Sequence, residues 1–303
     1  MLTLSNGHQC LYLTASGALG YDGLGWPWEK ALIPLGLHDP WLFTSITKTL
    51  TWEPRIGNLR WHKPWDCVRR IPNGAVNAVG LTNPGFRWWM DTVAPRVNAG
   101  KLPPLIVSID GTDHSFARSM ARELDHIKVV GVEINFSCPN TPDGIRCSVD
   151  DVIRVIGAIR PGCRHPLIAK LSVVHDAELI VPALRGQVEA IDINSVPWDL
   201  VFPGQPSPLA KFGGGAVSGR TAQGLTWEYL RRLVSIGDMP VIGPSVWDYP
   251  DINSLLGMGA CAISFGSIFL HDPTAPTRYV RQHKEDSRVG ITCFRFNASR
   301  PGR

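Results

Sequence analysis

The sequence predicts an α/β protein, a (β/α)8 TIM barrel with an insertion covering the C-terminal face of its strands. Short runs rich in Val and Ile recur eight times. Several are apolar throughout, as strands of a parallel sheet buried on both faces must be. Segments with the apolar spacing of helices lie between many of them. Polar residues cluster directly after the runs, where the ligand of such a fold sits. A doubly wound sheet is the rival architecture, and strand number alone does not separate the two.

Taken in order, the first strand is expected at Leu11–Ser16, closing on Ser16-Gly17, and the second at Leu42–Thr47, closing on Thr47-Lys48. Thr51–Asn83, with Trp52, Trp61 and Trp65, is the insertion over the strand ends and has room for short hairpins. Trp88-Trp89 reads as helix packing. The third strand is Leu105–Asp110, followed by a helix over Ser115–Leu124. The fourth, Val129–Phe136, runs into a polar loop from Asn135 to Asn140; a helix over Val149–Ile159 follows, with Asp150 and Asp151 placed to suit the positive end of its dipole. The fifth strand, Leu167–Val173, precedes a helix over Ala177–Leu184. The sixth, Val188–Asn194, ends at Asn194-Ser195. After a glycine-rich turn a helix reads from Thr221 to Leu233, its apolar pattern clearest over Thr226–Ile236. Pro240–Gly243, a helix over Pro250–Leu256 and Cys261–Gly266 complete the series, the last strand closing on Gly266-Ser267.

The 303 residues are 44% hydrophobic and 18% charged, which excludes global disorder, and no linker divides them. A single domain over 1–303 is expected, with a basic tail from about residue 281. The formal charge of +4 is mild and part of it sits in that tail, so a solvated end is expected and not a nucleic-acid surface. No apolar run approaches the ~20 residues of a membrane span, and no basic region precedes an apolar block at the N-terminus. A cytoplasmic, membrane-free protein is expected. The seven cysteines are odd in number and lack a Cys-x-x-Cys pair, which argues against a disulfide framework, structural zinc or an iron–sulfur cluster. His114, His126 and His175 show no ligand spacing, so no metal is expected.

The chemically densest stretch is Asn135-Phe136-Ser137-Cys138-Pro139-Asn140. Amides donate and accept at once, so they suit the edge of a heterocycle, and a thiolate can remove a proton. A lone cysteine after a strand is more often a small buried hydrophobe; its crowding with amides at a strand end favours the functional reading.

This loop resembles the Asn-x-Ser-Cys-Pro-Asn signature of class 1, soluble dihydroorotate dehydrogenases. Further motifs resemble that family in its order: Ala15-Ser16-Gly17, the stretch Thr47-Lys48-Thr49-Leu50-Thr51-x-Glu53-Pro54-Arg55-x-Gly57-Asn58, Asn77 to Gly85, Lys170, and Asn194-Ser195. The likeness spans about residues 11–270. It implies a barrel that binds FMN and oxidises dihydroorotate to orotate in pyrimidine synthesis. Cys138 would be the base that takes the C5 proton while hydride leaves C6 for the flavin, and a cysteine there implies class 1. Ala15, Ser16, Gly17, Lys48, Asn135, Lys170, Ser218, Gly219, Gly243, Gly266 and Ser267 would hold FMN. Lys48, Asn77, Val79, Gly80, Leu81, Asn135, Asn140, Asn194 and Ser195 would hold the substrate. The resemblance further implies a homodimer, using either fumarate or, through a second subunit carrying an iron–sulfur cluster and FAD, NAD; the stretch from Thr47 to Arg55 resembles the NAD-linked group slightly more.

One segment departs from the pattern. Gly243-Pro244-Ser245-Val246-Trp247 stands where the family has Gly-x-Gly-Gly-Ile, so Val246 is expected to be strained if φ is positive there, and FMN affinity to be weakened. Two other readings stay open: a related flavin enzyme acting on another pyrimidine, like dihydropyrimidine dehydrogenase or a tRNA dihydrouridine synthase, and a non-catalytic family member with a weakened FMN site. The second of these follows from the altered loop alone.

Overall fold

The computed structural model describes residues 1–60, 62–137, 148–237 and 239–298. Eight parallel strands close a barrel: β1 (Tyr12–Thr14), β2 (Thr44–Ile46), β3 (Leu105–Asp110), β4 (Gly131–Asn135), β5 (Leu167–Leu171), β6 (Ala190–Ile193), β7 (Val241–Gly243) and β8 (Ala262–Phe265). Each pairs with its neighbours in sequence order, and β8 returns to β1. All eight lie inside the runs singled out from the sequence. The doubly wound alternative is excluded by closure.

Helices surround the barrel: α1 (Phe86–Thr92), α2 (Ala94–Asn98), α3 (His114–Leu124), α4 (Val149–Ile159), α5 (Ala177–Leu184), α6 (Arg220–Ile236), α7 (Asp251–Gly257) and α8 (Ala275–Ala298). Local chemistry starts several of them. Asp113 accepts from the Ser115 and Phe116 amides, Asp176 from those of Glu178 and Leu179, and Ser148 and Asp151 cap α4 reciprocally. Helix α6 starts at Arg220, one residue before the expected Thr221, and Gly224 blurs its apolar spacing up to Thr226 without breaking the helix. Trp89 is fully buried, and its indole N–H donates to the Tyr21 carbonyl at 2.9 Å; Trp88 stays partly exposed against Tyr21.

Strand side chains alternate between two destinations. Val107, Ile109, Val132, Ile134, Ala169, Leu171, Ile191 and Ile193 join the layer between strands and helices. Leu13, Ile46, Ile106, Ile168, Ala190, Ile242 and Ala262 fill the lower interior, plugged by Leu2, Leu4 and Cys10 of the N-terminal hairpin. Two residues further along the same inward faces stand Ser108, Lys170, Asp192 and Ser264, so the upper interior turns polar toward the strand ends.

Above those ends lies the expected insertion. Its hairpin (Val68–Ile71 with Gly74–Asn77) pairs with Ala216–Gly219, which pairs with Val196–Pro197, making a four-stranded antiparallel sheet. Trp61 lies outside the described residues.

The segment from residue 275 continues as α8. His283 on it is buried and shares a 2.7 Å hydrogen bond with the Tyr12 hydroxyl. Tyr12→Phe is expected to lower stability by about 1–2 kcal/mol, the cost of leaving a buried polar partner unpaired, measured as a shift of the urea midpoint at unchanged m-value.

Candidate active site

The strand ends and the covering sheet enclose one cleft with two lobes. The larger is a cavity of about 320 Å³. Its floor and sides are Ala15, Ser16, Gly17, Lys48, Lys170, Asn194 and Ser195 from the barrel, and its roof is Val68, Ala75, Asn77 and Val79 from the insertion. At one end Ser218, Gly219, Pro244, Ser245, Val246, Gly266 and Ser267 converge. The smaller lobe, about 130 Å³, shares Ser16, Lys48, Asn77, Lys170, Asn194 and Ser195 and adds Thr49, Gly80, Leu81 and Asn135. Asn77, Asn135 and Asn194 thus bring three amides to the small lobe, and the apolar walls belong to the large one.

Nearly every described residue singled out from the sequence lines this cleft. Gly243 does not: it ends β7 facing Ala260 and Leu255, and a Cβ there would meet both at about 3.1 Å. Cys138 and Asn140 lie outside the described residues. Sequence reading missed Glu133, Asp192 and Ser108 beneath the cleft, Thr49 in its small lobe, and Trp26 and Trp28 in its wall. For Glu133 and Asp192 a signal existed: a lone carboxylate inside an apolar strand, in Val-Glu-Ile and Ile-Asp-Ile.

Asn135 is held firmly at the end of β4. Its Nδ2 donates to Thr49 Oγ1 at 2.9 Å, and its Oδ1 accepts from the Ser137 amide and hydroxyl at 3.0 and 2.8 Å. Asn194 Nδ2 donates to the Ser137 carbonyl at 2.9 Å, tying the β4 and β6 loops together. Gly80 and Leu81 have φ of 67° and 57°, two successive left-handed residues that turn backbone toward the small lobe. Gly17 is required because a Cβ would press on the Lys48 side chain at 3.3 Å.

Lys170 is nearly fully buried, 2.8 Å from Asp192 Oδ2 and 3.9 Å from Glu133 Oε2. Burial works against its charge, but Asp192 and, more distantly, Glu133 outweigh burial and hold the ammonium above its ordinary pKa. It is a strand-end ion pair and a cavity wall at once.

The loop after β7 corrects one expectation. The positive φ falls on Ser245, at 64°, and Val246 is unstrained and buried. Side chains strap this loop in place. Gln223 Nε2 donates to the Ser245 carbonyl at 2.9 Å, and Trp227 Nε1 to that of Pro244 at 3.2 Å. The Asp251 carboxylate accepts from the Trp247 and Asp248 amides and from Gln223, all at 2.8–2.9 Å. The Ser245 hydroxyl sits 3.3 Å from that of Thr226 on α6. Gly219, with φ of 93°, packs so closely on Gly74, Trp247 and Asn73 that any Cβ would lie within 2.9 Å of them. Backbone, and not side chains, therefore forms much of this end of the cleft.

The dihydroorotate dehydrogenase family model matches residues 41–282. The chain is 31% identical over 272 residues to "Dihydroorotate dehydrogenase B (NAD(+)), catalytic subunit" of Desulforudis audaxviator, covering 87% of this chain and 84% of that one. It is 29% identical over 274 residues to the protein of that name from Endomicrobium trichonymphae, covering 86% and 83%. Among solved structures, the ligand-free dihydroorotate dehydrogenase of Eimeria tenella superposes with a TM-score of 0.64 at 15% identity, over 89% of this chain and 82% of that one, a likeness of fold.

Trp26 and Trp28 stack in the cleft wall and are fixed by buried Glu29, which accepts from the Trp26 amide and the Trp28 indole, each at 2.7 Å. Burial pushes the Glu29 carboxyl up to about 7, against the pull of those donors. A raised folded-state pKa gives stability that is complete below the unfolded value near 4.5 and lost as pH rises through 7. Between pH 4.5 and 7.5 the wild type is expected to lose about 1–3 kcal/mol relative to Glu29→Gln, read from urea midpoints of the two proteins.

Proposed function

The chain belongs to the dihydroorotate dehydrogenase family, and from that premise we propose that it oxidises dihydroorotate to orotate in pyrimidine synthesis, with FMN as hydride acceptor. The observation that carries this is the division of the cleft: a long lobe with a backbone-built end beside a small lobe lined by amides and two lysines.

The large lobe fits FMN by the chemistry of its donors. The end formed by Ser218-Gly219, Ser245-Val246 and Gly266-Ser267 lies at the start of the 17-residue helix α6, whose first amides and dipole favour a phosphate. Glycine at 219 leaves the backbone open there. Ala15, Ser16 and Gly17 line the other end, with Lys48 and Lys170 beside the junction of the lobes. When bound, FMN would supply the two-electron acceptor. Lys170 would set a fixed positive charge where negative charge develops on the ring.

In the small lobe, Asn77, Asn135 and Asn194 would hold the pyrimidine edges and carboxylate, with Ser195 assisting and Lys48 touching substrate and cofactor. Asn140 would complete the set. Asn135 has three of its four hydrogen-bonding positions taken, one by Thr49 and two by Ser137, which leaves an amide N–H oriented for a ligand. Cys138 would remove the C5 proton. Class 1 membership follows from that cysteine and from relatives whose names are those of catalytic subunits of the NAD(+)-linked enzyme. Those names support a partner subunit that passes electrons to NAD. No helix among the described residues is long and apolar enough to cross a membrane.

The protein is expected to purify yellow and to bleach anaerobically on adding dihydroorotate. Another pyrimidine bleaching it in preference would move the activity to a sister enzyme, and a colourless protein that takes up no FMN would leave a non-catalytic member. Cys138→Ala should keep FMN and substrate binding and slow bleaching by several orders of magnitude in stopped-flow traces. Cys138→Ser should be slow at neutral pH and gain rate as pH rises, since a hydroxyl is a far weaker acid than a thiol of pKa about 8.5.

Asp251→Ala removes the acceptor of three donors that strap the loop after β7. FMN affinity is expected to fall about tenfold in titrations of the apo-protein, the equivalent of one charge-assisted hydrogen bond.

A further inference from the structure

Beneath the cleft the inner faces of β3 to β6 carry a buried polar cluster whose hydrogen bonds do not close as two carboxylates and one ammonium. Glu133 Oε1 accepts from the Ser108 hydroxyl at 2.7 Å, and Asp192 Oδ2 from Lys170 at 2.8 Å. Each carboxyl has one oxygen over, Glu133 Oε2 and Asp192 Oδ1, both buried and neither with a hydrogen-bond partner. Both carboxyl groups face the same ammonium, Asp192 Oδ2 at 2.8 Å and Glu133 Oε2 at 3.9 Å from Lys170 Nζ. Two bare carboxylates in that position would leave a net charge of −1 and two unsatisfied acceptors inside the barrel, a costly arrangement on both counts.

We infer that Glu133 and Asp192 share one proton, carried on Glu133 Oε2 and donated to Asp192 Oδ1, so that the Glu133–Asp192–Lys170 cluster is neutral with Lys170 cationic. Every oxygen then has a partner. Glu133 is the acid because Lys170 lies 2.8 Å from Asp192 but 3.9 Å from Glu133, so Asp192 is the better counter-ion. Burial and the Asp192 charge hold the Glu133 carboxyl above the carboxylate range, while Lys170 pulls the other way and Ser108 supplies a hydroxyl. Ser108 Oγ lies 2.9 Å from Thr49 Oγ1, which lies 3.1 Å from Ser16 Oγ in the cleft wall, so hydroxyls connect the acid to the cavity. Glu133 and Asp192 are positioning residues: they fix the charge and place of Lys170 without reaching the cleft themselves. The shared proton stands on the ion-pair distances and the two unpartnered oxygens; only the use of the Lys170 charge rests on the function proposed above.

The test is infrared difference spectroscopy of the full chain at neutral pH, with and without 13C-glutamate, in a Glu29→Gln background that removes the other buried carboxyl raised to about 7. A protonated-carboxyl C=O band is expected that shifts with the glutamate label and in D2O. It should vanish in Glu133→Gln. It should vanish also in Asp192→Asn, because Glu133 then becomes the counter-ion of Lys170 and ionises, an effect a merely structural role would not produce. Absence of the band in that background, or its persistence in either variant, overturns the proposal. Should Glu133→Gln not fold, the labelled Glu29→Gln protein and Asp192→Asn decide the matter between them. As a second readout, Glu133→Gln mimics the neutral acid and should bind FMN within threefold of the wild type. Tightening by tenfold or more would show that a negative charge had been removed, and would overturn the shared proton. No FMN binding by the wild type would count against the function reading, and the infrared result would then decide the shared proton alone.

Discussion

A closed barrel has a single interior, and strand geometry sends every second side chain into it whether that residue is apolar or charged. This constraint organises the whole molecule. In the lower layer the inward residues are Ile, Leu and Ala, and they pack against the N-terminal plug. One step further along the same faces, the inward residues include Ser108, Glu133, Lys170 and Asp192. Charges placed there cannot reach bulk water, so they must satisfy one another, and the ammonium is poised at the boundary between cluster and cleft because Asp192 holds it from below. Gly131, one step below Glu133, shows the same constraint from the other side: a Cβ there would meet Ile106 at 3.4 Å and Leu4 at 3.8 Å, so the plug needs that space.

Under the proposed function the loop after β7 answers a different demand. A phosphate-binding end needs donors in fixed places, and glycine pairs supply them cheaply by allowing unusual backbone angles. Here Ser245 takes the left-handed conformation that glycine would take without strain. The strain is held by what surrounds it: Gln223 and Trp227 from α6 and Asp251 from α7 bind the loop at four points. Helix α6 thus serves the site twice, by offering its N-terminus and by anchoring the loop opposite. An ion pair between Arg220 and Asp248 joins the same two pieces at the surface.

The barrel was legible because it depends on features that are local and repeated. Each of the eight apolar runs contained a strand, and α4 and α5 have the bounds that their apolar spacing indicated. The cleft was legible where residues follow a strand end, as at Ser16, Lys48 and Asn194. What was not legible depends on three-dimensional closure. Glu133 and Asp192 stand 59 residues apart in sequence and meet only because β4 and β6 flank β5. Asp251 and Gln223 look like ordinary helix residues until the loop is seen between them. The residue carrying the positive φ was misplaced by one position, since sequence shows that glycines are missing but not which backbone angle the chain keeps. The basic segment at the C-terminus begins as a docked helix, because buried His283 meets Tyr12 across 271 residues of sequence.

The two lobes also differ in what they ask of the charges beneath them. The end near α6 is built from backbone, whose partial charges are fixed, whereas the junction of the lobes is served by Lys48 and Lys170, whose charges depend on their surroundings. A lysine over a cluster of net negative charge would present little field to a ligand, since its carboxylates would cancel it. One over a single counter-ion and a neutral acid presents a dipole with its positive end at the wall. Neutral hydroxyls continue that pattern, from Ser108 through Thr49 to Ser16, and bring no opposing charge into the space between. The arrangement therefore favours charge that appears at the junction during reaction over charge already present in the resting cleft, which is the condition for an electrostatic contribution to rate and not merely to binding.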